Sequence, residues 1–256
     1  GSIAAHDLYL KGLFEESRFS RGANRQAVQY YERALAVDPN YALPYARISN
    51  IIQLNSRDGP ADEIQRDLKK AVALAEKAAA LDPLDPGIQW SLGRAVARLR
   101  TPAALRQGIQ SLERAIQLDP DFADAYAYLG VLYISDGRAE DGLRSVETAM
   151  KMNPRYPFWY LFMRGQTRFM LKDYAAALTD FEAAEERNPT ANVGRLWLAV
   201  THVQLGQLDD AEWQLDELKS MGFKSNIETI IGTQPIQHPA YLDIYKKALR
   251  KAGFPD

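Results

Sequence analysis

The chain has 256 residues, 46% of them apolar and 25% charged, with a formal net charge of −2. That is too apolar for a disordered chain and lacks the basic excess of a general nucleic-acid surface. There is no cysteine, which excludes disulfides, thiolate metal sites and cysteine nucleophiles, and no run of about 18 apolar residues that would span a membrane. Gly1-Ser2 reads as a remnant of cloning with no initiator methionine after it, so the chain is expected to be a piece of something longer.

In chain order, apolar spacing and turn signals predict helices over 5–17, 23–37, 41–55, 61–81, 86–99, 103–118, 122–135, 138–152, 157–171, 173–187, 191–205 and 207–220. They fall into six pairs, each with a first helix A and a second helix B. The segment Asn55–Pro60 reads as an exposed A–B loop, and Gly137 and Gly206 stand where a left-handed helix stop is wanted. After 220, Gly232–Pro239 reads as turn-rich. Tyr241–Ala252 reads as an amphipathic cap with Leu242, Tyr245 and Leu249 inside, and Asp243, Lys246, Lys247, Arg250 and Lys251 outside.

One phrase recurs in the B helices: a small residue, then an apolar one, then Ala, then Pro. It reads Ala27/Tyr31/Ala34/Pro39, Ala71/Ala75/Ala78/Pro83, Gly108/Leu112/Ala115/Pro120, Gly142/Val146/Ala149/Pro154 and Ala177/Phe181/Ala184/Pro189. Its prolines lie 44, 37, 34 and 35 residues apart. A period near 34 marks a helix-turn-helix solenoid, whose units bury their apolar faces against their neighbours. The residue before each proline is Asp or Asn and is pushed out of the helical region, ending helix B. Each A helix carries its own small residue: Gly12, Ser49, Gly93, Gly130, Gly165 or Ala199. An interior glycine costs about 1 kcal/mol against alanine, so its recurrence at one position implies close packing.

These units resemble the tetratricopeptide repeat. The fourth, Ala123 to Tyr156, carries Tyr126, Leu129, Gly130, Tyr133, Gly142, Ala149 and Pro154 at the motif positions, with Gly142 and Val146 replacing the usual Ala and aromatic. The resemblance implies an all-α, right-handed α-solenoid of about six repeats over residues 3–225, with 226–256 as a C-terminal cap. The two ends of the repeat region (Asp7–Gly12 with Ala34–Tyr41, and Glu212–Leu218 with Tyr241–Pro255) are similar to the tetratricopeptide region of bacterial class III adenylate cyclase-type regulators. Membrane-anchored winged-helix regulators carry similar repeats. No cyclase or winged-helix module lies in these residues, and either side of a membrane, cytoplasmic or periplasmic, is compatible with them.

No catalytic constellation is visible. Phosphate-cradling Gly loops, His-Glu-x-x-His and Gly-x-Ser-x-Gly are all missing, and His6, His202 and His238 are too scattered to share a metal. The expectation is a non-enzymatic module without cofactor, metal, nucleic acid or inserted membrane segment. Its partner would be a protein or peptide segment in the concave groove. The groove positions of the A helices give Tyr9, Arg47, Asn50, Trp90, Arg94, Tyr128, Trp159, Phe162, Gln166 and Trp197, with Arg98 as an extension. Aromatics and arginine are enriched at binding hot spots, and the cationic first half suits an acidic segment. Packing of Trp159, Phe162 and Trp197 between neighbouring helices is the competing reading. A carboxylate clamp like that of chaperone-binding relatives fails, because Ala46 stands where a basic residue four before Asn50 is required and Ser91 where a second Asn is required. Arg164 and Arg168 occupy positions that normally face the core. They pair with Asp180, Glu182 or Glu185, or else form an anion pocket that would make the module a small-ligand sensor. Homodimerisation through exposed apolar surface on a terminal unit is the other alternative function.

Overall fold

The computed structural model describes residues 2–18, 20–56, 61–188, 192–234 and 236–256. Among them the chain is entirely helical: α1 (Ile3–Glu16), α2 (Arg21–Val37), α3 (Ala42–Asn55), α4 (Ala61–Leu81), α5 (Pro86–Ala97), α6 (Pro102–Leu118), α7 (Ala123–Ser135), α8 (Ala139–Met152), α9 (Phe158–Met170), α10 (Tyr174–Arg187), α11 (Asn192–Leu205), α12 (Leu208–Ser220), α13 (Ile227–Thr233) and α14 (Pro239–Lys251). The fold is an all-α solenoid of six helix-turn-helix repeats, α1/α2 through α11/α12, followed by two further helices. It divides into two compact units, 1–120 with α1 to α6 and 121–256 with α7 to α14.

The recurring phrase does the same job in every hairpin. The N–H of the pre-proline residue donates to the carbonyl of the phrase's last alanine: Asp38 to Ala34, Asp82 to Ala78, Asp119 to Ala115, Asn153 to Ala149 and Asn188 to Ala184, at 2.9 to 3.1 Å. Asp38, Asp119, Asn153 and Asn188 then leave the helical region, with ψ between 79° and 94°, as a residue before proline must. The receiving alanines are buried, so this last helical turn lies inside the core. The fifth phrase's Pro189 and the predicted loop residues Arg57–Pro60 lie outside the described residues. Helix starts are signalled as locally. Ser20, Asp85, Thr101 and Asp173 each accept a hydrogen bond from an N–H of the first turn, and Pro86 and Pro102 open α5 and α6.

The A and B helices touch at the small residues. A Cβ on Gly130 would stand 2.9 Å from the Gly142 carbonyl oxygen, and one on Gly142 would stand 2.7 Å from that of Gly130. Backbone lies on backbone there, and Val146 of α8 fills the space beside Gly130.

In unit 2, α14 lays Tyr245, Ala248 and Leu249 on the core around α11, with the Tyr245 ring stacked on Trp197 at 4.5 Å. One helix is missing from the expectation. α13 (Ile227–Thr233) forms ahead of the stretch read as turn-rich and runs into its first two residues, while 234 and 236–238 lie outside helices. Asn226 caps that helix by accepting from the Thr229 N–H, while Ile227, Ile230 and Ile231 are buried at helical spacing. The Ile227 N–H also donates to the Pro255 carbonyl at 2.7 Å, tying α13 to the C-terminal segment.

Two hairpin turns break a local rule. Seven residues after the small residue of the A helix, the last four hairpins place one residue at positive φ: Arg100 (56°), Gly137 (84°), Lys172 (64°) and Gly206 (78°). A side chain in this left-handed region costs about 1 kcal/mol against glycine. Lys172→Gly is therefore expected to raise stability by about 1 kcal/mol and Gly206→Ala to lower it by a similar amount. Urea unfolding of the two variants beside the wild type checks the opposite signs.

Candidate functional site

Unit 1 holds an open cleft of about 380 Å³ lined by four helices. Glu16 ends α1, and Ser20, Arg21 and Asn24 start α2. Arg47, Asn50, Ile51, Leu54 and Asn55 come from α3, and Trp90 and Arg94 from α5. Four residues named from the sequence, Arg47, Asn50, Trp90 and Arg94, thus converge on one site. Arg21 and Asn24 escape the sequence reading because only A helices were expected to line a groove. The first turn of α2 borders the same opening.

The polar groups of the cleft are held by second partners. The Arg94 guanidinium lies over the Trp90 ring, 4.3 Å from its centroid, in a cation–π contact that orients its planar fork. Arg47 sits 3.6 Å from the Glu16 carboxylate. Burial alone would lower the Arg47 pKa, but the Glu16 charge, with Tyr9 behind it, outweighs that and holds it above the ordinary arginine value. Glu16 also accepts from the Tyr31 hydroxyl at 2.7 Å. Burial and this bond raise the Tyr31 phenol, which stays protonated and donating. Ser91 Oγ reaches Asn50 Oδ1 at 3.0 Å and the Ala46 carbonyl at 3.2 Å, fixing α3 against α5. Arg98 donates to the carbonyls of Gln53 and Ser56, and so staples the end of α3 to α5 rather than facing a partner.

The remaining predicted groove residues do not join this site. Tyr9 is buried, packed on Tyr31 and Tyr41 at 5.7 and 5.4 Å, and acts only as backing for Arg47. Burial, with Tyr9 beside it, pushes the Tyr41 phenol up to about 12. In unit 2, Trp197 is fully buried among Phe169, Phe181 and Tyr245, and Gln166 is 3% exposed, so neither offers contact surface. Phe162 is half-buried against Phe181 and Trp197, and Trp159 half-buried edge-on to Tyr160 at 4.3 Å. Tyr128 is half-buried on α7. Trp197 is thus enclosed by packing, whereas Trp159 and Phe162 keep part of their surface exposed.

Arg164 and Arg168 are likewise occupied. Asp180, 1% exposed on α10, receives Arg164 Nε at 3.0 Å and Nη2 at 2.6 Å on its two oxygens, and Arg168 Nη1 at 2.9 Å. Arg168 also lies 3.8 Å from Glu147 of α8. Burial would lower the Arg164 pKa, but the Asp180 hydrogen bonds and charge outweigh it and hold the guanidinium above its usual value. A buried carboxylate already fills the place an external anion would take, which argues against the anion pocket. Asp180→Asn is expected to cost about 3 kcal/mol by leaving the half-buried Arg164 without its counter-charge and Arg168 with Glu147 alone. Urea unfolding measures the loss. Sulfate should not raise the melting temperature of the wild type through this seam.

Among the described residues no group of three or more His, Asp and Glu side chains could hold a metal ion, and no helix is long and apolar enough to cross a membrane.

The hairpin geometry has its counterpart in known proteins. Models of the tetratricopeptide repeat match residues 111–144 and 168–226. The Cell division cycle protein 27 homolog of Caenorhabditis elegans is 36% identical over 85 residues, which are 33% of this chain and 10% of that protein. The match thus spans about a tenth of that relative's length. Among solved structures, PilW, described as a type IV pilus biogenesis factor, is similar with a TM-score of 0.66 at 15% identity, covering 90% of this chain and all of that one. PilF of Pseudomonas aeruginosa gives 0.61 at 18% identity over 87% of this chain and 93% of that one. A thermophilic tetratricopeptide-repeat protein of Thermus thermophilus gives 0.61 at 17% over 78% of this chain and all of that one. The fold is that of a tetratricopeptide-repeat protein.

Proposed function

We propose that the module binds a partner protein without chemistry of its own, and that the unit 1 cleft takes an extended acidic segment of that partner. The observation that carries this is the charge of the lining. The lining carries three arginines, Arg21, Arg47 and Arg94, and one acid, Glu16, in a chain whose net charge is −2. A carboxylate entering the cleft gains charge-assisted hydrogen bonds from Arg47 and Arg94, while Trp90, Ile51 and Leu54 supply apolar contact between the charges. Glu16 competes for Arg47 from within, so it tempers affinity.

Arg47→Glu and Arg94→Glu are each expected to weaken binding of a fluorescent peptide of alternating Glu and Leu by about tenfold. Glu16→Gln should tighten it, and raising the salt should weaken it. Fluorescence anisotropy measures all four. A peptide of alternating Lys and Leu that bound better would overturn the reading.

We infer further that 226–256 caps the repeats of 3–225, which is supported by the burial of Tyr245 and Leu249 of α14 on the α11 core. The likeness of both ends to adenylate cyclase-type regulators supports a bacterial signalling protein as the parent. Gene sequence upstream of Ile3 encoding a cyclase would bear this out, and a different output domain would overturn it.

A further inference from the structure

Helix α1 presents an apolar stripe to solvent. Ile3, Leu10 and Phe14 are 89%, 49% and 69% exposed. With Asp7 they follow one another at intervals of four, three and four residues, so all four lie on one side of the helix. The repeat register explains what this side is. Gly12 in α1 and Gly93 in α5 hold the same place, each with its B-helix neighbour, Tyr31 or Leu112, against it. Counting from them, Asp7, Leu10 and Phe14 correspond to Ile88, Ser91 and Ala95, all fully buried in α5. There the preceding hairpin covers them. Ile88 packs with Ala46 of α3 and Ala78 of α4, Ser91 bonds the Ala46 carbonyl, and Ala95 packs with Val72 of α4. Among the described residues nothing lies over the same seam of α1. On the last hairpin, by contrast, the chain supplies its own cover, α14 against α11.

We propose that the α1 seam is covered by α1 of a second copy of this chain, running antiparallel. The stripe is complementary to itself when reversed. Ile3 falls opposite Phe14 and Leu10 opposite Asp7, which brings Lys11 of each copy within about one residue's rise, ~1.5 Å along the axis, of Asp7 in the other. Within one helix Lys11 already holds Asp7 at 2.7 Å, both side chains being more than half exposed. Pairing makes a ring of two acids and two lysines at the centre, with Ile3 and Phe14 closing over each end. Such a contact uses the same patch on both copies and closes at two. The occupied α11 seam offers no equivalent surface for head-to-tail growth. None of these residues lines the cationic cleft, so the dimer stands or falls apart from the peptide-binding reading.

Sedimentation equilibrium of the full 256-residue chain, from low to high micromolar concentration, tests this. The weight-average mass is expected to rise from one chain to two. Phe14→Glu should raise the dissociation constant about a hundredfold or more, by putting a charge into each end of the seam. Asp7→Lys should weaken dimerisation about tenfold by gathering four lysines at the centre. The double exchange Asp7→Lys with Lys11→Asp should restore it, a result that a merely destabilised helix would not give. Arg94→Glu, which alters the cleft from α5, should dimerise as the wild type does. A wild type that stays monomeric at every concentration, a dimer indifferent to Phe14→Glu, or a charge exchange that fails to rescue overturns the proposal.

Discussion

Everything in this structure depends on how closely the two helices of a hairpin approach. Where Gly130 faces Gly142, each backbone carbonyl occupies the space that the other residue's Cβ would need. Gly12, Gly93 and Gly165 admit a ring or branched side chain at the same level: Tyr31, Leu112 and Phe181. A glycine in mid-helix gives up about 1 kcal/mol of helix propensity, and dense packing of the neighbour's side chain onto bare backbone offsets it. With that crossing fixed, the pre-proline bond to the buried alanine sets where each B helix stops and so where the next hairpin begins.

The cleft follows from this framework. Its polar groups sit on helices that the hairpin crossings hold, which suits a preformed surface. Its charges are steered by neighbours, Arg94 by the Trp90 ring and Arg47 by Glu16 and Tyr9. The second arginine-rich place in the chain, at Arg164 and Arg168, shows what the cleft lacks. There a buried aspartate satisfies both guanidinium groups from within, and the charges serve the fold. The same residue type is structural in one unit and a candidate for recognition in the other because of where the nearest carboxylate lies.

Most of the architecture was legible because it is local. Pro, pre-proline Asp or Asn and the small crossing residue are read directly from the chain, and the twelve repeat helices begin and end within two residues of their expected positions. α13 was missed because Gly232 and the prolines around it suggest a turn, whereas the Asn226 cap and three isoleucines at helical spacing prevail. Side-chain roles were less legible. Trp197 stands at a groove position, but Tyr245, far along the chain, stacks on it, and no local signal in α11 reports that cover. Tyr9 sinks for a similar reason, because Tyr31 and Tyr41 both turn toward it. Arg21 and Asn24 line the cleft from the first turn of a B helix, where no groove position was expected. Arg47, Asn50, Trp90 and Arg94 were found because they stand at groove positions of consecutive A helices.

The most direct measurement uses the four tryptophans, Trp90, Trp159, Trp197 and Trp213, whose indole N–H groups give separate nuclear magnetic resonance signals. Titrating the 15N-labelled chain with the Glu-Leu peptide should move the Trp90 indole and the Nε signals of Arg47 and Arg94, leaving the buried Trp197 and the Trp159 and Trp213 indoles in place. Saturating shifts at Trp159 or Trp213 with a silent Trp90 would contradict the account.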